Sequence, residues 1–292
     1  MMVFGESGLD KILRISEVYR HSARLRINEG LNQDYGTYSP WFGLFKYAEE
    51  QELLDLIETC NLDKLTVGES YFPTLRKIKK LGHGKPEHPL TPLDDWDLIG
   101  PESDLKRVRG EFEGGISLIS KVSFFSSLFE SLVNFVIPLD GRLEFERGFS
   151  DHRAKGAIFL TPRKPPFEEY KIGISIAHEI GHQVLMLYQT TDDIIPFEFR
   201  DIAIFSAIRE RDRPCLQVYH ALFAISFMHS FLRELLKVEE DPSKIVFLNE
   251  EKSKYTRMFE VSYAELIDKV EFTRLGVILL EELKDSFDDS AQ

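Results

Sequence analysis

The sequence predicts an α+β fold, mainly helical, with a small sheet next to one buried helix. Three observations lead there. Residues Ile172 to Leu187 are apolar nearly all round, through Ile172, Ile174, Ile176, Ala177, Ile180, Val184, Leu185 and Leu187, the pattern of a helix enclosed on every side. Short apolar runs at Leu132 to Ile137 and at Gly156 to Thr161 read as strands, the second bounded by turn residues. Elsewhere apolar residues recur mostly at helical spacing, as in "VSYAELIDKVEFTRLGVILLEELKD" near the carboxy terminus.

Taken in order, "MMVFGESGLDKILRISEVYRH" is charged and amphipathic, without the basic start, apolar run and small-residue cleavage site of a secretion signal. "AEEQELLDLIETC" continues a mostly helical first third as an amphipathic helix. Gly and Pro then cluster in "LGHGKPEHPLTPLDDWDLIGPES", Leu81 to Ser103, a loop or boundary. His83 and His88 in that loop are not read as metal ligands. Residues 103–139 read as helix running into the first strand at Leu132 to Ile137. The expected organisation is a helical region over 1–103 suited to peptide recognition, a core over 104–240, and a helical segment over 241–292 whose end, "DDSAQ", should fray.

Composition narrows the function classes. With 292 residues, 43% hydrophobic and 23 phenylalanines, the chain can bury a sizeable core in one or two domains. A net charge of −13 argues against nucleic-acid binding, which needs a basic footprint, and would attract a basic peptide if it acts at all. No stretch of eighteen apolar residues occurs, so no membrane span is indicated. Cys60 and Cys215 are too few for a disulfide framework and suit a reducing cytoplasm. Oligomeric state is not legible.

The chemistry concentrates in "SIAHEIGHQVL", Ser175 to Leu185. His178 and His182 are four apart, so on a helix their rings lie one above the other and can share an ion, as in a helical H-E-x-x-H. Glu179 is turned about 100° from His178 and can reach a metal-bound water without being a ligand. The expected local arrangement is zincin-like, a metal-binding helix beside a sheet edge that could pair with an extended peptide. His152, in "FSDHRAKG", would sit near that edge and could meet a substrate.

Two histidines need a third donor, because catalytic ions usually take three protein ligands and keep open positions. The metzincin continuation fails: Leu185 and Tyr188 stand where it needs glycine and histidine. Glu198, sixteen positions beyond His182, is one candidate. His220 is the stronger one. It falls on or beside the stripe formed by Leu216, Tyr219, Phe223, Phe227 and Phe231 on a helix expected to start with Asp212 as cap and Pro214 in its first turn. His229 lies half a turn from His220 at about 100° per residue and should face away from the metal.

From about Leu132 to Leu236 the chain resembles the HExxH-motif peptide-modification family, whose characterised members are iron(II)- and alpha-ketoglutarate-dependent peptide hydroxylases. The resemblance rests on "SDHRAKGAIFLTP", "AHEIGHQVL", "AIRERDRP" and "VYHALFAISF" in that order. At "AIR" the family commonly has an aromatic before the arginine, which affects pocket shape more than chemistry. The resemblance implies a facial set of His178, His182 and His220 on iron(II), with positions open for alpha-ketoglutarate and O2. Arg213, then Arg209, would pair with the distal carboxylate of the keto acid, since a guanidinium fork binds a carboxylate bidentately. Glu179 would orient a ligand or hold a water.

The implied activity is hydroxylation of a side-chain carbon, in first place the β carbon, of a ribosomally made precursor peptide in natural product biosynthesis. Two other readings of the residues stand beside it. One is a zinc metallopeptidase with Glu179 as general base. The other is a peptide-binding or metal-stabilised scaffold without catalysis.

Overall fold

The computed structural model describes residues 3–4, 6–31, 102–139, 148–150 and 155–288. The loop Leu81–Ser103 apart from its last two residues, the helix expected at "AEEQELLDLIETC", Cys60, His83, His88, His152 and "DDSAQ" apart from its first residue, Asp288, lie outside the described residues. Helices predominate among the described residues, with a small sheet beside them, as an α+β fold requires. In chain order they are α1 (Glu6–Leu31), α2 (Glu102–Ser120), α3 (Ser123–Leu132), β1 (Phe135–Pro138), β2 (Gly148–Ser150), β3 (Ala157–Leu160), α4 (Glu168–Tyr188), β4 (Ala203–Ser206), β5 (Arg211–Pro214), α5 (Cys215–Leu235), α6 (Pro242–Lys269) and α7 (Arg274–Asp288).

The chain divides into two interleaved units. One draws on Leu13–Ser117 and Leu128–Gly173, the other on Met1–Ile12, Leu118–Ser127 and Ile174–Gln292. The 104–240 segment is therefore shared between them, whereas residues 241–292 belong with α5.

The unit built on Leu13–Ser117 and Leu128–Gly173 holds a three-stranded sheet in the order β1-β3-β2. β1 runs parallel to β3, Phe135 opposite Ala157, and β2 antiparallel to it, Phe149 opposite Phe159. Those two phenyl rings stack at 4.6 Å, the cross-strand pair that fixes the register. β1 and β3 are buried throughout, so they read as continuous apolar runs instead of alternating ones. The first strand starts later than expected: Leu132 ends α3, and pairing begins at Phe135. Gly156 enters β3 at φ 88°, a backbone that a side chain rarely tolerates, and its carbonyl accepts from the N–H groups of Asn134 and Phe135.

The second unit is organised round α5. Phe227 packs at 4.9 Å from Phe4 and 5.3 Å from Phe223, and Phe125 meets Phe231 at 5.2 Å. Aromatic rings thus supply much of this core. α6 and α7 pack against the same helix. α6 begins where Asp241 accepts from the Ser243 N–H at 2.9 Å, with Pro242 in the first turn. By length and composition α5 could cross a membrane, but 83% of that window is buried inside the protein, as a core helix requires.

The start of α5 differs from the expected one. Asp212 does not cap it; Pro214 is the N-cap, without a side-chain cap bond. Residues Arg211–Pro214 instead pair antiparallel with Ala203–Ser206 as a hairpin. Proline favours an extended residue before it, so Arg213 prolongs a strand more readily than it begins a helix.

Candidate metal centre

α4 carries the histidine pair within a continuous apolar sheath. Ile172, Ile176, Ala177, Ile180, Val184, Leu185 and Leu187 are wholly buried, so the helix has little surface left except at its polar residues. The Nε2 atoms of His178 and His182 lie 3.0 Å apart, and their rings meet edge to face at 4.7 Å. Two nitrogens each about 2.0–2.1 Å from one ion lie on the order of 3 Å apart, so the pair has the bite of adjacent ligands. His182 keeps a partly exposed edge, yet the groups packed round it desolvate the ring and push its pKa down to about 4. At neutral pH it is therefore an uncharged donor, the form in which imidazole binds metals.

Glu179 is buried, with Oε1 3.8 Å from His178 Nε2. That is close enough to bias the His178 ring and far enough to exclude a direct hydrogen bond.

Gly181, inside the motif, faces α5. A side-chain carbon there would lie 3.1 Å from Ala224 Cα and from Phe227 Cβ, so the absence of one lets the two helices cross closely. Ala224 is one turn beyond His220 on α5. The crossing thereby brings the His220 ring to 6.0 Å from the His182 ring. His220 Nε2 lies 3.2 Å from the side-chain nitrogen of Gln189. Among the described residues no group of three His, Cys, Asp or Glu side chains converges as a metal cage. The two α4 histidines lie together, and His220 is a ring away with its Nε2 beside the Gln189 side-chain nitrogen.

The other candidates are placed as follows. Glu198 is exposed on a short 3-10 turn, Phe197–Phe199. His229 faces the opposite way from His220, 3% exposed and stacked at 4.1 Å on Phe287 of α7, which stacks at 3.8 Å on Phe259 of α6. Arg213 lies opposite Ile204 in the hairpin and Arg211 opposite Ser206, and both partners are buried. Directly paired residues share a face, so both arginines project from the inner side of the hairpin. Arg213 is half-buried; Arg209, in the turn, and Arg211 are exposed. Burial, then the like charges of Arg209 and Arg211, lower the pKa of Arg213. No carboxylate among the described residues forms an ion pair with it.

Two participants escaped the sequence reading. Gln189 carries no motif signal, although seven residues beyond His182 is two helical turns and the same face. Arg211 shares the strand face of Arg213, but that relation is invisible until 211–214 is known to be a strand. No protein-family model matches the chain, and no curated protein is detectably similar to it.

Proposed function

We propose that the protein is an iron(II)- and alpha-ketoglutarate-dependent oxygenase acting in the cytoplasm on a side-chain carbon of a ribosomally made peptide, in first place the β carbon. One observation carries the choice over peptide hydrolysis: Arg213, half-buried on the inner face of the hairpin that leads into the His220 helix. A desolvated guanidinium among like charges wants an anion, and a dicarboxylate cosubstrate supplies one. Peptide hydrolysis with Glu179 as general base does not of itself call for a dicarboxylate at that position.

In this reading His178 and His182 hold the ion, and His220 completes a facial set. The bound iron would activate O2 against the keto acid, releasing succinate and carbon dioxide, and supply the oxidant for a peptide C–H bond. Glu179, its Oε1 3.8 Å from the Nε2 of His178, would orient that ligand or hold a water. Arg213 anchors the distal carboxylate, and Arg209 is its understudy. The apolar sheath of α4 keeps bulk water from the buried side of the pair.

The experiment supplies iron(II), ascorbate, alpha-ketoglutarate and short candidate peptides. Succinate together with a peptide gaining one oxygen atom is the expected outcome. Arg213→Ala should raise the keto acid requirement roughly 10- to 100-fold, the worth of hydrogen bonds to a charged group. Glu179→Gln should leave appreciable keto acid turnover, since no water has to be deprotonated. Peptide cleavage abolished by Glu179→Gln, with no dependence on keto acid, would hand the site to the zinc peptidase reading, in which a general base is worth about 10²–10⁴-fold.

A further inference from the structure

Gln189 stands just past the end of α4. Its N–H bonds the Leu185 carbonyl at 2.9 Å, continuing the helix by one residue. The hydroxyls of Thr190 and Thr191 then bond the Leu187 and Tyr188 carbonyls, each at 2.6 Å, and satisfy the helix end. At about 100° per residue, His178, His182 and Gln189 fall within a narrow stripe of one helix face. α5 delivers His220 to that stripe, and its Nε2 meets the Gln189 side-chain nitrogen at 3.2 Å.

An amide nitrogen only donates, so His220 Nε2 accepts and the ring proton resides on Nδ1. That is the tautomer whose Nε2 lone pair a metal ion takes. Gln189 and a metal held by His178 and His182 therefore compete for one lone pair. The 6.0 Å between the His182 and His220 rings is short enough for His220 to change partner by side-chain rotation.

We propose that Gln189 is a positioning residue that latches His220: it holds the third ligand in the correct tautomer without metal and gives up its hydrogen bond when metal binds. The proposal rests on the metal-site reading above, and not on the identity of the oxidised substrate. Its consequence is a metal affinity lower than three free histidines would give. The latch in return keeps His220 from adopting the tautomer that cannot ligate through Nε2.

The test uses the full chain treated with chelator and titrated with Co(II), whose visible absorption reports coordination. Gln189→Met keeps bulk and removes the donor. It should bind Co(II) about 3- to 10-fold more tightly, the fold-change that one neutral hydrogen bond represents. In a His220→Ala background the same change should have no effect, which isolates the pair. Nitrogen-15 spectra of the chelator-treated protein give a readout that packing alone would not move. His220 should be an Nδ1–H tautomer in the wild type and shift toward Nε2–H in Gln189→Met. Unchanged or weaker Co(II) binding in Gln189→Met, or an equal gain without His220, overturns the latch alone. Co(II) binding that His182→Ala does not diminish overturns the metal site and the latch with it.

Discussion

Two histidines on α5, nine residues apart, meet opposite fates. His220 is half-buried, hydrogen-bonded to an amide and a ring away from His182. His229 is 3% exposed, stacked on Phe287 where α5, α6 and α7 come together. Burial, then the positive charges of Lys252 and Arg233, push the His229 pKa down to about 4. The same residue type thus lies beside the α4 histidine pair on one face and serves as a flat core ring on the other. Helical rotation alone separates the roles, because about half a turn divides the two positions. A histidine on an apolar helix says little about function until its face is known.

The largest expected effect sets the α4 pair, which His220 approaches, against His229. His182→Ala removes one of two converged donors. Even indirect supports of a metal ligand are worth about 10–100-fold in affinity, so losing the ligand should weaken metal binding by more than about 100-fold. His229→Phe should leave metal binding unchanged. Equilibrium dialysis with Co(II) measures both, and a loss of binding in His229→Phe of the size seen in His182→Ala would erase the distinction between the two faces.

How far each face was legible follows from what each signal needs. The pair on α4 could be read because an i, i+4 spacing and an unbroken apolar sheath require only the helical period. The opposition of His220 and His229 needed no more. The hairpin could not be read. "AIFS" and "RDRP" form a two-stranded ribbon whose second strand is charged, so no alternation of apolar and polar residues marks it. Asp212 and Pro214 then imitated a helix start, and only pairing with Ala203–Ser206 shows that they end a strand. Gln189 was illegible for another reason: its role exists only because Gly181 lets α5 approach, a tertiary fact.

Acid sharpens the same comparison with a smaller effect. The folded pKa of His229, about 4, lies below its ordinary 6.5, so folding keeps the ring neutral where the unfolded chain would protonate it. The stability this contributes is fully present above pH 6.5 and is lost as pH falls from there toward 4. Between pH 7 and pH 5 the loss should be about 2 kcal/mol. His182 carries a depressed pKa of the same sense and adds to the acid sensitivity. His229→Phe keeps an aromatic plane for Phe287 and removes one titration. Urea unfolding of the two proteins at pH 7 and pH 5 should show a smaller drop in the variant. Equal drops would mean that His229 is already protonated, or already solvated, in the fold.

The smallest expected effect concerns Tyr219, the residue just before His220. Its ring is wholly buried, and its hydroxyl donates to the Gly276 carbonyl of α7 at 3.0 Å. Burial raises its pKa, so the hydroxyl keeps its proton and remains a donor throughout the physiological range. Tyr219 therefore ties α5 to α7, about 100° round the helix from its chain neighbour, which reaches toward Gln189. Tyr219→Phe removes one buried hydrogen bond and leaves the Gly276 carbonyl without that donor, at a cost of about 1–2 kcal/mol. Thermal unfolding should register that cost, and Co(II) affinity should stay as it was. A change in Co(II) affinity would show that the anchor to α7 sets the reach of His220, and that the two faces of α5 are mechanically coupled.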